Sequence, residues 1–169
     1  MNTGDLLADA FGRIQENVHS VVDGLSPEEL ALRLDGRANS IVWLVWHLTR
    51  VQDDHVADAA GSEQIWTSQG WSDRFELPFA ARSTGYGHTS KQVTAVGGIS
   101  SELLTGYHDA VHEHTSRYVR GLKAADLDRI VDEGWTPPVT LGVRLVSVIS
   151  DDLQHVGQAA FVRGVLRRR

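Results

Sequence analysis

Two segments of the sequence carry side chains of the types that bind a divalent metal ion. His47 lies inside the most apolar stretch of the chain, residues 41–48. Asp151 and His155 are four residues apart in a segment with helical periodicity, so they lie about one turn apart on one helix face. Imidazole nitrogens and carboxylate oxygens are common ligands of divalent ions such as zinc. Two histidines and one carboxylate leave a coordination position open for water or substrate.

Each of these residues also has an interpretation that needs no metal. A histidine among apolar residues can be a hydrogen-bonded core residue, because leaving it unpaired costs about 1–3 kcal/mol. Asp151 and His155 can form a buried hydrogen-bonded pair. Asp152 lies as far inward as Asp151 when residues are placed at about 100° intervals around a helix. Spacing alone therefore does not decide which aspartate is the ligand.

The remaining histidines on the predicted helices have simpler interpretations. Four of them lie among polar residues and are expected to be surface or partly buried structural histidines: His19, His108, His112 and His114. His55 lies two turns after His47, beside two aspartates. We expect it on a solvated helix face, with a supporting position behind the metal ligands as the alternative.

Four long segments with helical periodicity position these residues. The predicted helices cover residues 3–22, 39–60, 100–123 and 140–166. Asn39 is the expected N-cap of the second helix, and Gly61 ends it. The first half of this helix is apolar on nearly every side, which is typical of a buried helix. His47 is therefore expected in the core.

The segments between the long helices predict the rest of the architecture. Capping-box patterns open short helices after Ser26 and at Thr89. Residues 61–99 are rich in glycine, serine and aromatic residues and form a long crossover, and residues 134–138 form an extended elbow. Strand signals are weak throughout. The sequence predicts an all-α four-helix bundle, with short extra helices, as a single domain over residues 1–169.

Composition excludes several classes of function. The chain has 169 residues and a formal net charge of −6, which argues against a nucleic-acid partner. It has no cysteine, so disulfides, thiolate metal sites and a protein-borne thiol nucleophile are excluded. The N-terminus does not resemble a signal peptide, and the apolar runs are too short to cross a bilayer. We expect a cytoplasmic protein without a membrane partner.

Two motifs carry a resemblance to a known family. They are NSIVWLVWHL at residues 39–48 and DDLQHVGQ at residues 151–158. With them, nearly the whole chain resembles the DinB/YfiT-like superfamily of metal-binding four-helix bundles. The shorter motifs GYGHT at 85–89, GWTP at 134–137 and RG at 163–164 are similar to its actinobacterial, mycothiol-linked branch.

The resemblance implies a set of metal ligands. His47 and His155 match the two histidine ligands of the family. Asp151 matches the third ligand, where many relatives have histidine or glutamate. The aspartate is a departure toward a shorter carboxylate, but it keeps the set chemically sound. Zinc is the default ion for such nitrogen-rich sites.

The resemblance also implies a function, a metal-dependent thiol S-transferase. A divalent metal would activate mycothiol, a sugar-linked thiol, as a thiolate that attacks an electrophilic small molecule. One alternative is a metal-dependent hydrolase or isomerase. Another is a non-catalytic metal or small-molecule binding protein, for which Asp54 or His55 would complete a closed ligand shell. The sequence leaves open whether the protein is a homodimer.

Aromatic residues and one arginine are candidates for contacts with the substrate. The aromatic residues between Trp66 and Tyr86, together with Trp43 and Trp135, could line the mouth of the site or pack in the core and loops. Arg144 lies two turns before Asp151 on nearly the same side of the predicted helix. It could meet an anionic group of the substrate or extend to the surface.

Overall fold

The computed structural model describes residues 1–168, and within them the chain is mainly helical. Its long helices are α1 (Thr3–Val22), α3 (Ile41–Ala60), α7 (Ser101–Arg120) and α8 (Leu141–Leu166). Its short helices are α2 (Pro27–Leu30), α4 (Ile65–Ser68), α5 (Trp71–Phe75) and α6 (Ser90–Thr94). The predicted all-α bundle with long crossovers and short extra helices is confirmed. Arg169, the last residue of the predicted domain, lies outside the described residues.

Two helix ends differ from the sequence prediction. Ser40, and not Asn39, is the N-cap of α3, because its side chain accepts a backbone N–H of the first turn at 3.3 Å. Helix α7 ends at Arg120 rather than near residue 123. The backbone N–H of Lys123 instead donates to the carboxylate of Asp126 at 2.7 Å, which opens a separate 3-10 turn.

The long helices pack so that α3 is the most enclosed element of the bundle. Helix α3 contacts mainly α7 and α8, and α1 contacts the same two helices from the opposite side. Every residue from 41 to 50 is buried. The apolar residues of α8 at positions 141, 145, 148, 156, 159 and 162 complete the core between α1 and α3. His47 is thereby placed against the buried face of α8.

A short β-ribbon precedes α8, although the sequence predicted no strand. After the 3-10 turn Ala124–Asp128, strand β1 (Ile130–Asp132) pairs antiparallel with β2 (Val139–Thr140). Strands this short contain too few residues for an alternating pattern to be recognised. The predicted elbow at 134–138 is the connection between the two strands. The ribbon places Asp132 and Trp135 beside the first turns of α8.

The long crossover between α3 and α7 is an ordered layer of the molecule. The rings of Trp66, Trp71 and Phe75 pack around Tyr107 of α7 with centroid distances of 5.0–5.7 Å. The chain then returns across α3, where Gly85 lies directly against the His47 side chain. The crossover therefore completes the site as well as the core.

Candidate metal centre

Helices α3 and α8 bring together the three residues that the sequence marked as metal ligands. His47, Asp151 and His155 each offer a ligand atom, and these atoms all lie within 4.8 Å of one another. The rings of His47 and His155 have centroids 4.8 Å apart. Among the described residues, no other group of three or more acidic, histidine or cysteine side chains meets this criterion. Asp152 is not a member of the group.

His47 is held in one tautomer by the crossover loop. Its Nδ1 lies 2.5 Å from the carbonyl oxygen of Thr84, and a carbonyl can only accept, so Nδ1 carries the proton. This leaves the lone pair of Nε2 available to a ligand, as in metal sites where the second ring nitrogen donates to a carbonyl. The side chain is 5% exposed, and burial lowers its pKa, which favours the neutral imidazole that a metal needs.

Gly85 allows the loop to approach His47 this closely. A Cβ atom at this position would lie 2.8 Å from Nδ1 of His47 and 2.9 Å from the ring of Trp46. The residue also has a φ of +94°, which side chains other than glycine rarely adopt. On the other side, the ring of Trp43 stacks on His47 with a centroid distance of 4.6 Å. The imidazole is therefore fixed on two sides.

Asp151 and His155 form an ion pair on the exposed side of the group. The Nε2 atom of His155 lies 3.6 Å from Oδ1 of Asp151, and its Nδ1 lies 3.3 Å from Oε1 of Gln158. Burial opposes ionisation of Asp151, but the contacts with His155 and the nearby His47 outweigh it and lower its pKa. The carboxylate of Asp151 in turn raises the pKa of His155.

One oxygen of this carboxylate lacks a partner. Oδ2 of Asp151 is buried and accepts no hydrogen bond in the structure. A buried carboxylate oxygen without a donor is costly, and a cation beside two imidazole nitrogens would compensate it. The donor set, two nitrogens and a carboxylate, suits zinc and similar ions. The residues present therefore fit a divalent metal ion.

Asp152, which spacing could not separate from Asp151, lies in a different environment. It is fully buried, and neither of its carboxylate oxygens has a hydrogen-bond partner. Burial, with a smaller contribution from the charge of Asp151, raises its pKa well above the usual range. We infer a neutral carboxylic acid inside the bundle core.

A cleft of about 200 Å³ leads from solvent to His47 and Asp151 of this group. Its walls include Asp54, His55, Tyr86 and Asp151. The side chain of His55 is 36% exposed, so the residue lines the cleft rather than a fully solvated helix face. Neither Asp54 nor His55 belongs to the group of mutually close ligand atoms among residues 1–168.

Arg144 does not extend freely to the surface, as one interpretation of the sequence expected. Its side chain is 16% exposed and pairs with the carboxylate of Asp132 at 2.7 Å. Nη1 of the guanidinium also lies 3.4 Å from Nδ1 of His55. Arg144 therefore connects the β-ribbon to the wall of the cleft.

The aromatic residues that were candidates for the lining of the site divide between exposed and buried positions. Tyr86 and Trp135 are 92% and 67% exposed, whereas Trp66 is buried in the crossover layer.

His108, expected at the surface or partly buried, is completely buried, and desolvation lowers its pKa to about 3. Its Nδ1 contacts the hydroxyl of Thr49 at 3.0 Å, which identifies a structural histidine.

Sequence reasoning missed three groups that support the site. They are the Thr84 carbonyl, the amide of Gln158 and the ring of His88. His88 accepts a hydrogen bond from the indole N–H of Trp43 at 3.2 Å and thereby orients the ring that stacks on His47. His88 lies within the 85–89 motif, so the motif was visible but its contact with α3 was not.

These observations define a class of protein. A four-helix bundle that carries two histidines and a carboxylate between its second and fourth long helices is of the DinB/YfiT-like type. A protein-family model described as Mycothiol-S-transferase matches residues 6–168, nearly the whole chain. The chain therefore belongs to the mycothiol S-transferase family.

A solved structure supports the fold over its full length. The chain is similar to a crystal structure described as the conserved protein of locus from Enterococcus faecalis, with a TM-score of 0.92 and 29% sequence identity. The match covers 100% of this chain and 99% of the other. No curated protein matches the chain significantly. Within residues 1–168, no helix is both long and apolar enough to cross a membrane.

Proposed function

We propose that the protein is a metal-dependent S-transferase that holds a divalent cation, with zinc as the first candidate, through His47, Asp151 and His155. The observation that carries the proposal is the buried, partnerless Oδ2 of Asp151 within a group of three ligand atoms at the base of an open cleft. A divalent cation in this group would lower the pKa of a thiol placed in the cleft and favour the thiolate, which is the reactive form. Membership of the mycothiol S-transferase family supports mycothiol as that thiol.

The residues of the chain contribute orientation and shielding. The Thr84 carbonyl keeps the proton of His47 on Nδ1, and Gln158 contacts the corresponding nitrogen of His155. The ring of Trp43 stacks on His47 and meets the edge of His155 at 6.3 Å, which keeps water away on the core side of the group. The reacting thiol must therefore approach through the cleft.

The chain supplies no sulfur of its own to the reaction. Because it contains no cysteine, the new bond forms between the sulfur of the small-molecule thiol and the electrophile. The proton of the thiol leaves through the cleft to solvent, and the leaving group of the electrophile carries away the electron pair. Neither Asp54 nor His55 joins the ligand group, which favours an open position over the closed shell of a storage site.

Elemental analysis and a conjugation assay together test this proposal. We expect purified protein to hold about one equivalent of a divalent metal and to conjugate monobromobimane faster when mycothiol is added. His155→Ala should lose both metal and the thiol-dependent rate, whereas His19→Ala, at an exposed histidine of α1, should keep both. Addition of mycothiol to a cobalt-substituted sample should change its absorption spectrum. An unchanged spectrum would overturn the proposal.

Two expectations from the sequence stay predictions. They are the organisation of the chain as one domain and its cytoplasmic location. The sequence leaves open whether the protein is a homodimer, and size-exclusion chromatography with light scattering would measure this directly.

A further inference from the structure

A second pocket adjoins the cleft that leads to the candidate metal centre. It has a volume of about 540 Å³ and lies between the C-terminal half of α3, the β-ribbon and the start of α8. Asp54 and His55 line both the pocket and the cleft, so the two depressions are adjacent and have these side chains as their common border. A molecule whose reacting atom lies at the metal centre would reach the pocket by passing over this border. We call it the ribbon pocket.

The ribbon pocket combines an aromatic surface with many hydrogen-bonding groups. Trp135 on its wall is 67% exposed, although such a large apolar ring is usually covered. Around it lie the amide of Gln64, the hydroxyl of Ser62 and the guanidinium of Arg144. An indole face packs against the C–H face of a sugar ring, while amides, hydroxyls and carboxylates bond its hydroxyl groups.

The charge of the ribbon pocket favours an uncharged ligand over an anionic one. Its lining includes the carboxylates of Asp54, Asp58 and Asp132 against the single guanidinium of Arg144, which Asp132 already neutralises at 2.7 Å. An anionic ligand would be repelled by the two remaining carboxylates. A neutral polyol would use the same oxygens as hydrogen-bond acceptors.

We propose that the ribbon pocket binds the polyhydroxylated, uncharged part of the thiol substrate, with Trp135 as its stacking surface, and that its carboxylates select against anionic thiols. This inference rests on the proposed function, because it assumes that the sulfur lies at the metal centre. It assigns the choice among small-molecule thiols to residues of the β-ribbon and α3. In this proposal the metal ligands themselves take no part in recognising the sugar.

Two thiols separate the ribbon pocket from the metal centre experimentally. Mycothiol carries a sugar, whereas N-acetylcysteamine is a neutral thiol without one. We expect Trp135→Ala to raise the KM for mycothiol at least tenfold, to leave the rate with N-acetylcysteamine unchanged and to keep the metal content of the wild type. The matched control is Phe161→Ala, because Phe161 is 64% exposed on α8 and lies outside both depressions. Equal KM values for mycothiol in wild type and Trp135→Ala would overturn the proposal.

A binding measurement keeps this test independent of turnover. Calorimetry with N-acetylglucosaminyl-inositol, the thiol-free sugar part of mycothiol with its nitrogen kept as a neutral amide, should show binding to the wild type and at least tenfold weaker binding to Trp135→Ala. If the wild type binds this probe but conjugates no electrophile, the proposed function fails and the pocket assignment stands. If conjugation with mycothiol proceeds but the two proteins bind the probe equally, only the pocket assignment fails.

The charge of the pocket has its own test. Glutathione carries two carboxylates, so Asp58→Lys should raise its rate relative to mycothiol several-fold. Asp9→Lys makes the same change in charge on an exposed residue of α1 that does not line the pocket, and it should leave this ratio unchanged. Equal ratios in the two variants would show that the carboxylates do not select the thiol.

Discussion

Two polar clusters include residues of α3 that are one turn apart. In the first, the protein itself supplies hydrogen-bond partners for the buried carboxylate, and in the second one carboxylate oxygen has no partner. In the first, Asp53 accepts hydrogen bonds from the backbone of Ile65 and Trp66 and from the hydroxyl of Tyr107, each at 2.8 Å. The guanidinium of Arg50 lies 3.5 Å from the same carboxylate and 5.0 Å above the ring of Trp66. We call this the Arg50–Asp53 cluster.

The second cluster, formed by His47, Asp151 and His155, is incomplete. It extends from the buried His47 to the partly exposed Asp151, which keeps one buried oxygen without a partner, and a cleft reaches it from solvent. A buried polar cluster with every group paired rigidifies a fold, whereas an unpaired carboxylate oxygen beside two imidazole rings and a cleft fits a bound cation. The comparison separates a structural cluster from a binding site although both contain a paired acid and base.

The largest effect should come from breaking the complete cluster. Asp53→Ala leaves the buried Arg50 without its carboxylate and removes the acceptor of the first N–H groups of α4. We expect a loss of about 3–5 kcal/mol in the free energy of unfolding, measured by urea denaturation. Asp54→Ala, at the neighbouring and more exposed position, is the control and should change it by less than about 1 kcal/mol. Equal losses would show that the cluster does not stabilise the fold.

Removal of the metal should have an effect of similar size on the incomplete cluster. A ligand that binds only the folded state stabilises it by about 4 kcal/mol at a thousandfold excess over Kd. We expect a chelator to lower the Tm of the wild type by several degrees and to leave His47→Ala and His155→Ala unaffected. Calorimetric scans of each protein with and without chelator measure the difference. A wild-type curve that does not move after the metal has left would contradict the assignment.

The loop that orients His47 gives a smaller and more local effect. Gly85→Ala adds a Cβ 2.8 Å from Nδ1 of His47 at a φ of +94°, and strain of this kind costs about 1–3 kcal/mol. Gly87→Ala is the matched control, because its φ is +72° but no atom lies within 4 Å of the added Cβ.

The metal affinities of the two glycine variants distinguish the effect of the new contact with His47 from the effect of backbone strain alone. We expect Gly85→Ala to weaken metal binding about tenfold or more, the size of effect seen when a group that orients a ligand is lost. Gly87→Ala should lose some stability but keep its affinity. If both variants bind metal like the wild type, the loop does not orient His47.

The parts of the fold that depend on local sequence patterns, such as the apolar period of a helix, could be predicted from the sequence. The apolar period of residues 3–22 and 140–166 and the apolar run before His47 predicted the long helices and their buried faces. The ribbon pairing of Ile130 with Thr140 and the contact of Thr84 with His47 were not predictable. Each depends on how a loop closes over a distant element, which has no periodic signal.

The candidate site, too, could be predicted from the sequence only in part. Two histidines and a neighbouring acid could be named from type and spacing, but the choice between Asp151 and Asp152 could not be made. Both lie on the inward side of α8, and the difference between them is the set of neighbours that the packed bundle places around each side chain. The structure gives one of them a cleft and two imidazoles and leaves the other in the apolar core.

Exchanging each aspartate for asparagine tests this distinction. Asp151→Asn keeps the size of the side chain but removes the charged ligand oxygen, so we expect metal affinity to fall about 10–100-fold, by analogy with other changes around metal ligands. Asp152→Asn changes a fully buried side chain that is not part of the ligand group, so affinity should change by less than about threefold. Competition with a chromophoric chelator measures both values. The reverse order would move the ligand to Asp152.

The smallest expected effect is a shift in the titration of His155 in the metal-free protein. Its pKa is raised, chiefly by the contact with Asp151, above the ordinary value of about 6.5. With Asp151 ionised, the pair therefore stabilises the metal-free fold below about pH 6.5, and this contribution is lost as the pH rises through the raised pKa of His155. It is also lost in acid, as the pH falls through the lowered pKa of Asp151. Protons and metal compete for the same nitrogen, so metal binding should strengthen over this same range of pH. Asp151→Asn should lower the pKa of His155, whereas Asp152→Asn should leave it unchanged, as measured by NMR titration of the ring protons. A pKa of His155 that is the same in wild type and Asp151→Asn would show that the two side chains do not interact. The second cluster would then contain no paired acid and base, and it could not be compared with Arg50 and Asp53 in this respect.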